Sequence, residues 1–312
     1  MSKYLARSLI LVVVASSGAA AQGATSAPKN FIFFGSERER INDPAFLKNP
    51  AIAGAQLRYT WKELEPARNR YELQPVLDAV ALLEKHGKRL FIQIQDVSFS
   101  DKVLVPDYLR RDPEFNGGAN RKFEQVGENP DSVTFDGWVA RRWDPNVLAR
   151  FAKLFEAIGK ALDGRIEGIN TAETAIGFRS PRLRPSGFTF ESYAAGIKEL
   201  MTAGRRALPR SQFIVYANFM PGGVKYLDEI YKHADSIGVG VGGPDLLPHR
   251  WFQRNNSLQR IVARARGTVA GLAVHAVDQL RLDYIFWGSE EPYYSSDVLP
   301  FLQTLSRRTT GQ

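Results

Sequence analysis

The sequence predicts an α/β protein: a (β/α)8 TIM barrel in a single domain, preceded by a signal peptide. Three observations carry this reading. Short apolar runs alternate with longer amphipathic ones from Asn30 to Gly288, the pattern of repeated strand–helix units. Eight such strands fall within a chain of 312 residues, the size one closed barrel occupies. No internal repeat, low-complexity tract or linker divides them. An open doubly wound sheet is the second architecture this pattern allows.

The chain begins MSKYLARSLILVVVASSGAAAQ, and its first 21 residues read as an export signal. Lys3 and Arg7 form the positive start, Leu9 to Ala15 the apolar run, and Ala19-Ala20-Ala21 the small-residue cleavage site. The run is too short to span a bilayer, and no later segment is long enough either. The expectation is therefore an exported protein, periplasmic or extracellular, with no stable membrane insertion after cleavage and a barrel domain over residues 22–312. An uncleaved anchor is the alternative.

The barrel elements follow in order. Phe31–Phe34 is the first strand, closed by Gly35, and 53–61 (AGAQLRYTW) is the second. The connection between them, 36–50, is short and interrupted by Pro44, so the first helix is expected to be poor or missing. PVLDAVALLEKHGK (75–88) has helical spacing and a Gly stop, and RLFIQIQD (89–96) is the third strand. Residues 97–143, rich in Asp, Gly, Asn and Arg, read as a long loop on the substrate side. A helix over 145–162 and a strand over 165–173 follow. Next come a helix at 189–208 with Thr189 as its cap and a fifth strand at 212–219. A helix at 224–234 and a sixth strand at 236–242 continue the alternation. The last elements are a helix at 256–266 and strands at 269–277 and 282–288.

Composition narrows the chemistry. The formal net charge is +8, and no cysteine is present, so thiol catalysis and thiolate metal sites are excluded. The basic residues are spread along the chain, not interleaved with aromatics on one element, so no nucleic-acid partner is expected. GVGVGG (238–243) matches a dinucleotide fingerprint in form, but Pro244 follows at once and no helix opens there. The four histidines lack metal-ligand spacing, and no nucleophile elbow occurs. No metal or cofactor is called for.

In a parallel barrel, chemistry sits at the carboxyl ends of the strands. Those ends carry Glu37, Arg58, Trp61, Glu63, Gln95, Asp96, Glu173, Asn218, Asp245, His275, Asp278, Trp287, Glu290 and Glu291. Carboxylates serve acid/base and nucleophilic roles at glycosidic bonds, while amides and arginine hold hydroxyl groups and indoles stack on sugar rings. Polar loops alone explain about half of such a set. They do not explain Glu173, Gln95 and Trp287, which are attached directly to apolar strand runs.

Here a resemblance enters. LRYTWKELEPARNRYEL (57–73) resembles the second-strand signature of glycoside hydrolase clan A, the retaining barrel glycosidases. Arg58, Trp61, Glu65, Pro66 and Tyr71 stand at its places. GINTAETAIG resembles the clan's fourth strand, which implies Glu173 as general acid/base. YIFWG resembles the eighth strand, which implies Trp287 as the floor of a sugar subsite. The chain departs from the clan in two ways. Ala172 precedes Glu173 where the clan has Asn, and GLAVHAVDQL offers no glutamate for the strand-seven nucleophile.

The second carboxylate is then sought elsewhere on the rim. Glu291, followed by Pro292, is preferred to Glu290, with Asp245 and Asp278 as further acids. Arg58, Trp61, Gln95, Asp96, Asn218, Asp245, Asp278, Trp287 and Glu290 are expected to bind substrate. Arg179, Arg182 and Arg184, on the loop leaving Glu173, make an acidic glycan conceivable, although a solvated loop explains them as well. The expected substrate is a poly- or oligosaccharide. The competing expectation is a catalytically silent barrel that binds carbohydrate.

Overall fold

The computed structural model describes residues 29–129, 132–178 and 180–243, together with the backbone of 273–275 and 281–288. Its main sheet is a closed eight-stranded barrel. The first strand, β1 (Lys29–Gly35), is followed by a 3-10 turn at Arg38–Asn42 and a short helix, α1 (Pro44–Lys48). Pro44 and the Asp43 cap start α1, but nothing lengthens it, so the first crossover is as meagre as expected. Then come β2 (Gly54–Thr60), α2 (Trp61–Leu64), α3 (Gln74–Lys85) and β3 (Arg89–Gln95).

Residues 97–143 are not a bare loop. They hold a helix, α4 (Asp107–Arg111), and a hairpin of β4 (Ala119–Gln125) and β5 (Val133–Ala140) paired antiparallel. The insertion satisfies its own backbone groups in this ladder, which a structureless segment of that length could not do. The barrel resumes with α5 (Pro145–Leu162), β6 (Gly168–Thr171), α6 (Phe190–Ala207), β7 (Gln212–Tyr216), α7 (Val224–Ile237) and β8 (Gly240–Gly242). Thr189 caps α6 in a capping box with Ser192. The residues read as the start of strand six, 236–237, instead finish α7, and the left-handed Gly238 ends it.

The final strands are β9 (Ala273–His275) and β10 (Arg281–Gly288). The strands β1, β2, β3, β6, β7 and β8 pair in parallel, and β10 closes onto β1 in the same sense. By contrast, β9 runs antiparallel to both β8 and β10. The all-parallel expectation is corrected here, and the reason lies in the sequence. Only residues 276–280 separate β9 from β10, whereas a parallel return needs a crossover of about a dozen residues. The helix expected at 256–266 lies outside the described residues, as does the expected signal segment.

Helices cover the barrel with apolar faces. Along α5, Val147, Leu148, Phe151, Leu154, Phe155, Ile158 and Leu162 are buried at helical spacing. Phe151 stacks on Trp61, and Phe155 meets Phe213 edge-on at 5.1 Å. Inside the barrel, Phe31, Phe91, Ile214 and Tyr216 form a separate apolar floor. Above that floor the interior turns polar: Gln56 Nε2 donates to Asn170 Oδ1 at 2.8 Å and to the Tyr216 hydroxyl at 3.0 Å.

Candidate active site

Because β2, β3, β6 and β7 are parallel, their carboxyl ends share one mouth. Alternation along each strand sends every second residue inward. Thus Gln56 and Arg58 on β2, Gln93 and Gln95 on β3, and Asn170 on β6 build a polar wall above the floor. Arg58 Nε donates to Gln93 Oε1 at 3.0 Å, and its guanidinium lies 5.2 Å from the Phe33 ring centroid.

Glu173 stands two residues beyond β6, half-buried at this mouth. Asn218, two residues beyond β7, donates from Nδ2 to Glu173 Oε2 at 2.7 Å. The two loops are fastened to one another through Thr174. Its hydroxyl donates to the Asn218 carbonyl at 2.6 Å, it accepts from the Asn218 N–H at 2.8 Å, and its own N–H reaches the Tyr216 carbonyl at 3.0 Å. Asn218 is 1% exposed, and its Oδ1 has no hydrogen-bond partner among the described residues. The same holds for Oε1 of Gln95, at the end of the neighbouring β3. Buried amide oxygens are normally satisfied, so these two are unspent acceptors next to Glu173, shielded from solvent.

Arg142 supports this arrangement from behind and was not anticipated from the sequence. It sits just past β5, 2% exposed, and forms a two-pronged pair with Asp96: Nε to Oδ2 at 2.7 Å and Nη2 to Oδ1 at 2.6 Å. Its Nη1 donates to the Glu173 carbonyl at 2.7 Å and to the Tyr193 hydroxyl at 3.2 Å. Burial alone would pull the Arg142 pKa down, but the charge and hydrogen bonds of Asp96 outweigh it and raise it. Burial also pushes the Tyr193 phenol up to about 12, which keeps it a neutral donor to the Thr174 carbonyl. The only hint in the sequence was a run of two arginines between apolar residues, which says nothing about a partner in another strand.

The other anticipated residues divide. Asp96 is consumed by Arg142 and faces no cleft, so its substrate-binding role is withdrawn. Trp61 is 0% exposed, donates from Nε1 to Glu65 Oε2 at 2.9 Å and stacks on Phe151. With both faces covered, it offers no platform for a sugar. The rest of the second-strand motif is likewise structural: buried Glu65 pairs with Arg150 and accepts from the Tyr108 hydroxyl at 3.0 Å. Glu37 and Glu63 form exposed pairs with Arg40 and Arg38. Arg184 donates to the Phe178 carbonyl and lies over the Phe190 ring. Trp287 falls on β10 opposite Ile32 of β1. Arg179, Asp245, Asp278, Glu290 and Glu291 lie outside the described residues. No group of His, Asp or Glu among the described residues could hold a metal ion, and no helix there is long and apolar enough to cross a membrane.

No protein-family description matches the chain, and neither does any curated protein. Among solved structures, it is similar to the catalytic domain of beta-amylase from Paenibacillus polymyxa. That match has 7% identity, covers 78% of this chain and 84% of the other, and gives a TM-score of 0.51. Also similar are exo-beta-1,4-mannosidase Op5Man5 from Opitutaceae bacterium strain TAV5 (13% identity, 61% of this chain, TM-score 0.40) and GH5_18 from Streptomyces cattleya in complex with GlcNAc (14%, 69%, TM-score 0.44). The chain spans 32% of the first of these two and 50% of the second. At such identities the likeness is one of fold. The fold is an α/β barrel like that of the beta-amylase catalytic domain.

Proposed function

We propose that this chain is an exported glycoside hydrolase acting on a poly- or oligosaccharide, with Glu173 as general acid/base. The observation that carries the reading is the amide of Asn218 holding the Glu173 carboxylate at the barrel mouth, 2.7 Å away. Protonated Glu173 would deliver its proton to the leaving glycosidic oxygen as the bond to the sugar breaks. In a retaining reaction the resulting carboxylate would then take a proton from the incoming water; in an inverting one the second carboxylate would do so. Arg58 and the amides of Gln95 and Asn218 are the polar groups at the mouth that would meet sugar hydroxyls. Trp287, in register with Ile32 on the strand face away from the Phe31 floor, is not counted among them. The second carboxylate comes from the later rim, with Glu291 first and Glu290, Asp245 and Asp278 behind it. A separation of about 5 Å from Glu173 would give retention, and roughly 6.5–9.5 Å inversion.

The test is turnover of neutral and acidic glycans by the purified protein, with Glu173→Gln and Glu291→Gln beside it. Glu173→Gln keeps the shape and the bond to Asn218 but removes the proton. The expected loss is on the order of 10²–10⁴-fold in rate, with an unchanged unfolding midpoint. Turnover that persists in Glu173→Gln overturns the assignment. One observation favours the second reading, a silent carbohydrate-binding barrel: the sequence over 269–278 contains no glutamate. Glycan binding without turnover on any substrate decides for it.

A further inference from the structure

On the loop that carries Glu173, from Ala175 onward, opens a cavity of about 890 Å³, bounded by the inserted hairpin on one side and by the loops after β6 and β7 on the other. We infer that this cavity binds an apolar group, aromatic or alkyl, which an oligosaccharide substrate carries as its leaving aglycone; this rests on the acid role of Glu173. The position comes first. Ala175, two residues after Glu173, and Phe219, next to Asn218, belong to its lining. A general acid protonates the leaving oxygen, so the space on its own loop side receives the group that departs.

The chemistry of the lining comes second. Phe99, Phe123, Phe178, Phe190, Phe219 and Met220 face the cavity. Its buried cation, Lys122, is already paired with Asp136 and lies 3.8 Å from the Phe99 ring centroid, so the ammonium is satisfied. The exposed large apolar side chains among the described residues are Phe99 (57%), Val126 (52%) and Val224 (50%), and two of these three line this cavity. Apolar surface left open around one concave site marks a binding surface.

The shape is held in advance. A Cβ at Gly177 would collide with the Phe123 carbonyl, and one at Gly137 with the Ser98 carbonyl, so the hairpin is seated on both the β6 loop and the segment after β3. Ser98 and Trp138 exchange hydrogen bonds across the second contact, at 2.8 and 3.1 Å. Phe178 and Phe219 both adopt left-handed backbone, at φ 58° and 37°. Bulky residues avoid this region, and its use clusters at ligand sites. Both residues belong to the cavity lining, Phe178 with its ring packed against Trp143 and Phe188.

The experiment measures binding by titration calorimetry in the Glu173→Gln background, where the proton donor is gone and glycoside probes are not consumed. The probes are 4-methylumbelliferone for an aromatic group, n-octyl β-glucoside for an alkyl chain and cellobiose as a neutral sugar. They are titrated into the full protein and into the double variant Phe99→Ala/Val224→Ser, whose altered side chains are exposed. Tighter binding of the aromatic or the alkyl probe than of cellobiose, weakened about tenfold in the double variant, is the expected result, and the stronger of the two identifies the leaving group. Equal binding of all probes, or binding unchanged in the double variant, overturns the site. Variant-sensitive binding without turnover of 4-methylumbelliferyl glycosides by the unaltered protein overturns the leaving-group role together with the acid role of Glu173, while the apolar site stands.

Discussion

Replacing Arg142 with methionine should be among the costliest single changes in this protein. Methionine fills much of the same volume but leaves Asp96, 0% exposed at its side chain, as an uncompensated buried charge. It also removes the donor to the Glu173 carbonyl and the contact with Tyr193. Breaking one side of a buried pair costs about 3–5 kcal/mol, and the orphaned Glu173 carbonyl adds about 1 kcal/mol or more. The expected loss is therefore on the order of 4–6 kcal/mol, a large part of the stability of an ordinary domain. The double variant Asp96→Leu/Arg142→Met removes both charges, so it should be markedly less damaged than the single changes summed, with a coupling of about 2–3 kcal/mol. Urea unfolding followed by circular dichroism reads both quantities, provided the m-value is unchanged. A cost below about 1 kcal/mol for Arg142→Met, or strict additivity, would refute the view that this pair holds the insertion and the Glu173 loop together.

Three further outcomes follow. Asn218→Asp sets a second carboxyl against Glu173, and two such groups in contact cannot both ionise readily. The alkaline limb of the kcat/KM profile should move to higher pH, and an unmoved limb would detach Asn218 from the acid. Trp61→Ala should cost about 3–5 kcal/mol in unfolding free energy as a core truncation; a variant of native stability that loses glycan binding would return Trp61 to the cleft. Asp163 accepts from the backbone N–H groups of Arg210 and Ser211 and from the Arg210 side chain. Burial pushes its carboxyl up, but these donors outweigh it and hold it below its usual 3.8. Its contribution is therefore fully present above about pH 4 and lost as pH falls through the folded value. Asp163→Asn should lower the urea midpoint at pH 6 and flatten its decline towards pH 2; parallel curves for the two proteins would contradict this.

The strands and helices were legible because their apolar spacing is a local property. Helix α5 and strands β2 and β3 fall close to where the spacing of Val147, Phe151 and Leu154, or of Leu57 and Tyr59, puts them. Glu173 was legible for a similar reason: an acid ending the strand read over 165–173 needs an explanation. What stayed hidden depends on partners far along the chain. Trp61 reads as a sugar platform until Phe151 is seen to cover it, and Asp96 as a cleft residue until Arg142 claims it. Polarity in the sequence does not distinguish a carboxylate meant for substrate from one meant for a buried arginine. The reversal of β9 was implicit in the brevity of 276–280, but the repeating strand–helix pattern obscured it. The hairpin in the insertion escaped because β4, with its sequence ANRKFEQ, is largely polar and shows little of the alternation that marks a half-buried strand.

The closure of the barrel also bears on how the chain reaches this state. The seam that completes the sheet joins β1 to β10, the first and last strands of the barrel. A nascent chain that has made everything through β8 therefore still carries an open edge on Phe31 and its neighbours, with backbone groups waiting for a strand not yet synthesised. Contacts between the two ends of a chain are the slowest to form, because so much of the chain must be ordered before they contribute. Unpaired edges invite association with other chains in the meantime. A chain shortened before Arg281 would keep that edge permanently and should accumulate as aggregate, even though the strands β2 to β7 that surround Glu173 are all present.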